Sequence, residues 1–329
     1  MGKVAVRVVQ SKVVREVLKE LKTIVSIPGT TIETYGVTYV RQDDEEGYLI
    51  ALVVELCEMD VDAYIAVNHR SLGLTGRIGL MLRVFEGIEE LKASGVVWRD
   101  LKGGNMLIKR TEGVEGVEVR FCDFGTAVRL KDRSNRRMTI SGAAGATPGY
   151  IAPETKSPSY SFASDMFSCL VWCASLCLDF DKTGAGELEH RIAKLRLNQV
   201  YSSSRKAEEK KVKRKLKEFV DEDLIRNDCL PLFTFLASDQ VAWTDPENRP
   251  TAKECSALLS NLSSTKESPL REERSAERKC LSPSSGIRSL KIGGELGEDK
   301  ENSKSKTPLK APKRSTRRRN PLSALAVNK

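Results

Sequence analysis

The sequence predicts an α+β chain with a small β-rich first part, a larger helical second part and a disordered basic tail. Three observations carry this prediction. Strand patterns fall within the first 57 residues: residues 2–9 alternate around Ala5, and residues 48–57 form a near-continuous apolar run that ends in a polar step. From there to about residue 262 helical patterns predominate, over residues 78–94, 169–177, 206–218 and 258–262. From Ser263 the composition turns to Ser, Lys, Arg, Pro and Glu with scattered apolar residues, too few to offset the entropy of folding.

Taken in order, residues 11–24 place Val13, Val14, Val17, Leu18, Leu21 and Ile24 on one helical face, with Ser11 as the expected N-cap. Residues 78–94 repeat the pattern through Leu80, Met81, Val84, Phe85, Ile88 and Leu91 and predict a long helix. Cys169, Cys173 and Cys177 recur every four residues, so they share a helix face as small core hydrophobes. Residues 206–218, dense in Lys with a few Glu, predict a solvated helix. A short apolar helix through Leu258, Leu259 and Leu262 closes the body.

Charge is unevenly placed. The net +9 resides in residues 263–329, which hold 17 Lys and Arg against 8 Asp and Glu and leave 37 of each sign in the preceding residues. The body therefore predicts no specific nucleic-acid partner. The eight cysteines lack paired metal spacing, no secretory signal opens the chain, and no apolar run reaches the ~18 residues of a membrane span. A reducing intracellular compartment and no membrane attachment are the expectation. With only His69 and His190, a histidine-based hydrolase or zinc site is hard to build.

The chemistry centres on Trp98-Arg99-Asp100-Leu101-Lys102-Gly103-Gly104-Asn105, a charged, glycine-containing loop between the apolar Val96-Val97 and Met106-Leu107-Ile108. Phe121-Cys122-Asp123-Phe124-Gly125 follows, then Thr147-Pro148-Gly149-Tyr150-Ile151-Ala152-Pro153-Glu154. Arg99-Asp100-Leu101 with Asn105 four residues on resembles the H-R-D-L-x-x-x-N loop of protein kinases, Trp98 replacing the His. The two later stretches resemble that family's D-F-G and A-P-E segments, in the same order.

The resemblance, which spans residues 2 to about 262, implies a two-lobed protein kinase-like fold over residues 1–262. Its small β-rich lobe would cover about 1–57 and lack its first strands, its larger helical lobe would cover about 58–262, and the regulatory tail would be 263–329. It implies ATP and Mg²⁺ as cofactors and a protein substrate. Asp100 would orient and accept the proton of the attacking hydroxyl, Lys102 would face the γ-phosphate and mark a Ser or Thr acceptor, and Asn105 and Asp123 would hold the metal. Thr147 would bond Asp100 and Lys102, Glu154 would pair with Arg249, and Asp165 would anchor the loop from below. Val54 would be the gatekeeper, with the backbone of Glu55 and Cys57 meeting the adenine edge. Arg7 stands where the family's β3 Lys grips the α- and β-phosphates, with Glu16 or Glu20 as its partner.

The two strands and the Gly-rich loop that precede that position in the family have no counterpart here. The expectation is either a truncated sequence or a weakened ATP grip, with a pseudokinase scaffold as the rival reading. Retention of Asp100, Asn105 and Asp123 favours the enzyme, and the segment ending at Glu154 disfavours a small-molecule phosphotransferase. Ser134, Thr139 and Ser141 lie among Arg133, Arg136 and Arg137, and a phosphate at Thr139 would find Arg99. In the tail, Ser268-Pro269-Leu270-Arg271 and Thr307-Pro308-Leu309-Lys310 resemble cyclin-dependent kinase sites. Lys300-Glu301-Asn302 resembles a KEN degron, and Arg319-Asn320-Pro321-Leu322 a destruction box. Cyclin-dependent kinases and ubiquitin-ligase machinery are thus expected partners, and the basic cluster 310–319 favours the nucleus over the cytoplasm.

Overall fold

The computed structural model describes residues 4–10, 14–41, 48–110, 116–130, 138–139, 147–156, 159–179 and 204–264. The chain divides into one unit of residues 1–266 with 322–329 and a second of residues 267–321; the second lies wholly outside the described residues.

Strands β1 (Val4–Gln10), β2 (Thr34–Arg41) and β3 (Tyr48–Glu55) form an antiparallel sheet in the order β1-β3-β2. The central strand is flanked on both edges, which accounts for its apolar run: Ala51, Leu52 and Val54 are buried. Its register sets Arg7 opposite Leu52. Helix α1 (Val14–Val25) buries Val17, Glu20, Leu21 and Ile24. The expected N-cap, Ser11, falls outside the described residues. Strand β2 was not expected from the sequence; a bulge between Thr34 and Gly36 interrupts the alternation that would have marked it.

Strand β4 (Met59–Asp60) leads into α2 (Val61–Asn68), capped by the Asp60 carboxylate, which accepts from the Ala63 N–H at 2.7 Å. The long helix α3 (Leu74–Ala93) begins four residues before its expected start. Four short strands then frame two loops: β5 (Val96–Val97), β6 (Met106–Lys109), β7 (Glu118–Phe121) and β8 (Val128–Arg129). β6 pairs with β4 and β7, and β5 pairs with β8, so residues 98–105 and 122–127 emerge side by side. Gly87 lets Phe121 and Thr30 approach α3: a Cβ there would stand 2.6 Å from the Phe121 ring and 2.9 Å from Thr30 Cγ2.

Strands β9 (Met138–Thr139) and β10 (Ser159–Tyr160) pair antiparallel. Helix α4 (Phe162–Leu176) is buried on every face from Ser164 to Leu176, the pattern of a central helix, and it places Cys169 and Cys173 in the core; Cys177, its C-cap, is buried too. Helices α5 (Arg205–Asp221), α6 (Leu230–Leu236) and α7 (Ala252–Ser264) complete the described body, with α7 against α3.

Candidate active site

The loop between β5 and β6 is held from beneath by one buried carboxylate. Asp165, near the start of α4, accepts the Trp98 N–H at 2.7 Å and the Arg99 N–H at 2.9 Å. Arg99 has φ +76°, a conformation a side-chain-bearing residue seldom keeps unless its surroundings impose it, and the Asp165 bond does so here. Burial pushes the Asp165 carboxyl up to about 6, against the lowering effect of the two N–H bonds.

Asp100 is buried and gathers the loop around its carboxylate. Asn105 Nδ2 donates to it at 2.8 Å, and Lys102 Nζ lies 3.1 Å away. From the segment ahead of Glu154, the Thr147 hydroxyl donates to the same carboxylate at 2.8 Å and its N–H at 3.2 Å. Lys102 also donates to that hydroxyl at 2.8 Å. Because Asn105 commits its side-chain nitrogen to Asp100, its side-chain oxygen Oδ1 is the atom left for a cation. Gly103 is required by a neighbour: a Cβ would stand 1.5 Å from Asp62 Oδ1 on α2.

The second loop is tied to the first. The Cys122 N–H donates to the Asn105 carbonyl at 2.9 Å. Asp123 is in the left-handed region at φ +60°, and the Trp98 ring N–H donates to its carbonyl at 3.1 Å. The Trp98 ring stacks on Phe121 at 4.6 Å and on Phe124 at 5.3 Å, so it braces the chain on both sides of Asp123. From α1, Glu20 accepts the Phe124 N–H at 3.3 Å and the Arg7 guanidinium at 2.6 Å. Of the two sequence candidates, Glu20 meets Arg7; the Glu16 side chain lies outside what the structure describes.

Glu55 and Cys57 are not joined to this network. The Glu55 carboxylate is buried between Lys109 at 2.7 Å and Arg120 at 3.2 Å. Its backbone N–H is committed to the Glu33 carbonyl at 2.9 Å, so the expectation that the Glu55 backbone meets adenine narrows to its carbonyl. Burial pushes the half-buried Cys57 thiol up to about 12, with the Glu55 charge adding to the effect.

Glu154 and Arg249 form a bidentate pair at 2.7 and 3.1 Å. Two further partners were not legible in the sequence. The Arg99 guanidinium lies 4.2 Å above the Tyr160 ring, and the Thr126 hydroxyl donates to the Trp98 carbonyl at 3.1 Å. Thr139, the expected phosphate site, pairs through its backbone with Ser159; Ser134, Ser141 and the neighbouring arginines lie outside the described residues.

Residues 2–258 match the protein kinase domain. The chain belongs to the protein kinase family. Among similar proteins, the probable serine/threonine-protein kinase zyg-1 of Caenorhabditis elegans is 29% identical over 168 residues, 50% of this chain and 22% of that protein. A probable serine/threonine-protein kinase of Zea mays, CCRP1, is 28% identical over 145 residues, 44% of this chain and 21% of that protein. The serine/threonine-protein kinase PLK4 of Nematostella vectensis is 31% identical over 134 residues, 40% of this chain and 12% of that protein. The matched stretch is thus about a fifth of these relatives' length or less. The sheet of β1–β3 followed by a helical part agrees with the kinase fold expected from the sequence.

Protein kinases use ATP and a divalent cation, and the residues present fit both. Arg7 gives one nitrogen to Glu20 while its buried Nε has no hydrogen-bond partner among the described residues, which leaves donors for a phosphate. Asn105 and Asp123 are oxygen donors on adjacent, mutually bonded loops, a donor set suited to a hard cation that takes its other ligands from phosphate and water. Among the described residues no group of three or more His, Cys, Asp or Glu could hold a metal ion. Two protein ligands match a cation that arrives with its nucleotide.

Proposed function

We propose that the protein transfers the γ-phosphate of Mg-ATP to a Ser or Thr hydroxyl of a protein substrate. The observation that carries this reading is the Asp100 carboxylate, held by Asn105, Lys102 and Thr147 at 2.8–3.1 Å on a loop pinned by Asp165. Bound Mg-ATP supplies the phosphoryl group and the cation that neutralises charge on its phosphates. Asp100 takes the proton of the acceptor hydroxyl. Lys102, already between Asp100 and Thr147, places positive charge where the transferred group gains negative charge. Thr147 joins the peptide-side segment to the base, so a docked substrate and the base are positioned by one bond network. Asn105 and Asp123 would hold the cation, and Arg7, braced by Glu20, the nucleotide phosphates. The bonds from Glu20 to Arg7 and to the Phe124 N–H support an assembled cleft, and they count against a scaffold without activity.

Lys102 supports Ser/Thr over Tyr as acceptor, and the tail motifs support cell-cycle control with cyclin-dependent kinases and ubiquitin-ligase machinery as partners in the nucleus. The test is ³²P transfer from Mg-ATP to mixed Ser, Thr and Tyr peptide libraries by the full chain and by Asp100→Ala. Incorporation into Ser and Thr peptides that falls at least a hundredfold in the variant is expected. No transfer by the wild-type chain, despite nucleotide binding, would leave the scaffold reading in its place.

A further inference from the structure

Helix α5 has two unlike faces. One buries Val212 and Leu216 completely. On the other, at about 100° per residue, Lys206, Lys210, Arg214 and Lys217 fall within about 80° of arc and about 16 Å along the axis. All four are exposed. The cations beside this row are matched: Lys213 by Asp239 at 2.8 Å and Glu209 at 3.7 Å, and Arg205 by Asp245 at 3.5 Å. Within the row Arg214 meets Glu218 at 3.4 Å yet stays 71% exposed, and no salt bridge among the described residues engages Lys206, Lys210 or Lys217. Like charges four residues apart on a helix repel, so Lys206, Lys210 and Arg214 lower the helix's own stability, with Glu218 offsetting part of the charge on Arg214.

We propose that this row is a docking strip for an acidic stretch of the protein substrate, remote from the phosphorylated residue; this rests on the reading above that the substrate is a protein. Its length matches about five residues of extended chain at ~3.3 Å each. The row offers no aromatic ring on which a nucleic-acid base could stack. Nor does α5 expose a large apolar residue that could enter a membrane interface. An acidic peptide needs only such spaced cations, and it is the polyanion that a protein substrate can itself carry.

The experiment measures anisotropy of a labelled peptide containing six consecutive glutamates, with a six-glutamine peptide as control, on the full chain. Four further arms use the quadruple variant K206E/K210E/R214E/K217E, the tail variant K313E/R314E/R317E/R318E, a twelve-nucleotide RNA and phosphatidylserine vesicles. The glutamate peptide is expected to bind in a salt-dependent way and to lose at least tenfold in the helix variant but little in the tail variant, with thermal unfolding of both unchanged. Loss confined to the tail variant, loss of RNA or vesicle binding alone, or no glutamate binding by the wild-type chain overturns the proposal. A paired kinetic arm uses acceptor peptides with and without a distal acidic stretch. The helix variant is expected to raise KM for the acidic one at least fivefold with kcat unchanged. Absence of any transfer by the wild-type chain would refute the kinase reading, while the binding arm would still decide the strip.

Discussion

Two Arg–Glu pairs of the same chemistry play different parts in this molecule. Arg249 has no side-chain exposure and has committed its donors: two to Glu154, two to the Trp243 carbonyl from Nε and Nη2, and one to the Ala163 carbonyl. Nothing is left over for a ligand. Arg7 is 17% exposed, spends one nitrogen on Glu20, and keeps a buried Nε without a partner among the described residues. A saturated guanidinium holds structure, whereas one with donors in reserve is poised to hold something that comes and goes. The degree of commitment, rather than the presence of an ion pair, separates the two roles.

The largest test of that contrast is removal of a partner at the saturated pair. Glu154→Ala leaves Arg249 charged and buried, and denaturant unfolding should show a loss of about 3–5 kcal/mol. A loss below about 1 kcal/mol would mean the pair is not structural.

A third buried charge sharpens the point. The Asp165 carboxyl titrates at about 6 in the folded chain against an ordinary 3.8, so the folded state binds its proton more readily than the unfolded state. The stabilisation this gives is complete below about pH 4 and disappears as pH rises through about 6. Relative to Asp165→Asn, the wild-type chain should therefore gain up to about 3 kcal/mol between pH 7 and pH 4. Parallel unfolding-versus-pH curves for the two proteins would show that Asp165 is not the titrating group.

Replacing each arginine by lysine tests the pairs on equal terms. Arg249→Lys strands carbonyls that the guanidinium now satisfies and should cost about 2 kcal/mol. Arg7→Lys has one bond to replace and should cost under about 1 kcal/mol, with KM for ATP changed by less than about tenfold, equivalent to ~1.4 kcal/mol. Equal costs at the two positions would erase the distinction.

A smaller effect than that of Arg249→Lys is expected from Trp98→Phe. The stacks on Phe121 and Phe124 persist while the bond to the Asp123 carbonyl is lost, so stability should fall by about 1 kcal/mol. The Mg²⁺ concentration for half-maximal transfer should rise, since Asp123 is then less firmly oriented. An unchanged Mg²⁺ requirement would reduce Trp98 to packing alone.

Much of the site was legible because it lies in short stretches with fixed spacing. Asp100, Lys102 and Asn105 lie within six consecutive positions, and Asp123 sits in a pattern bounded by apolar residues. Glu20 could not be separated from Glu16, since both lie on one helix a turn apart, and only the distance from α1 to β1 decides between them. Tyr160 beneath Arg99 and Asp62 against Gly103 are contacts between segments 61 and 41 positions apart in the chain. No local pattern encodes such meetings. Strand β2 was hidden by its own bulge at Gly36, while β3, with neighbours on both edges, announced itself as an unbroken apolar run.

Gly87 carries a consequence for genetics. It lies on α3, outside both site loops, yet the ring of Phe121 rests where its side chain would be, and that ring is stacked in turn on Trp98. One added methyl group at Gly87 becomes a wedge whose push travels through the rings to Asp123, whose carbonyl the Trp98 ring N–H holds. Such a chain would complete its cleft in the cold and lose it on warming, a conditional allele obtained without altering either site loop.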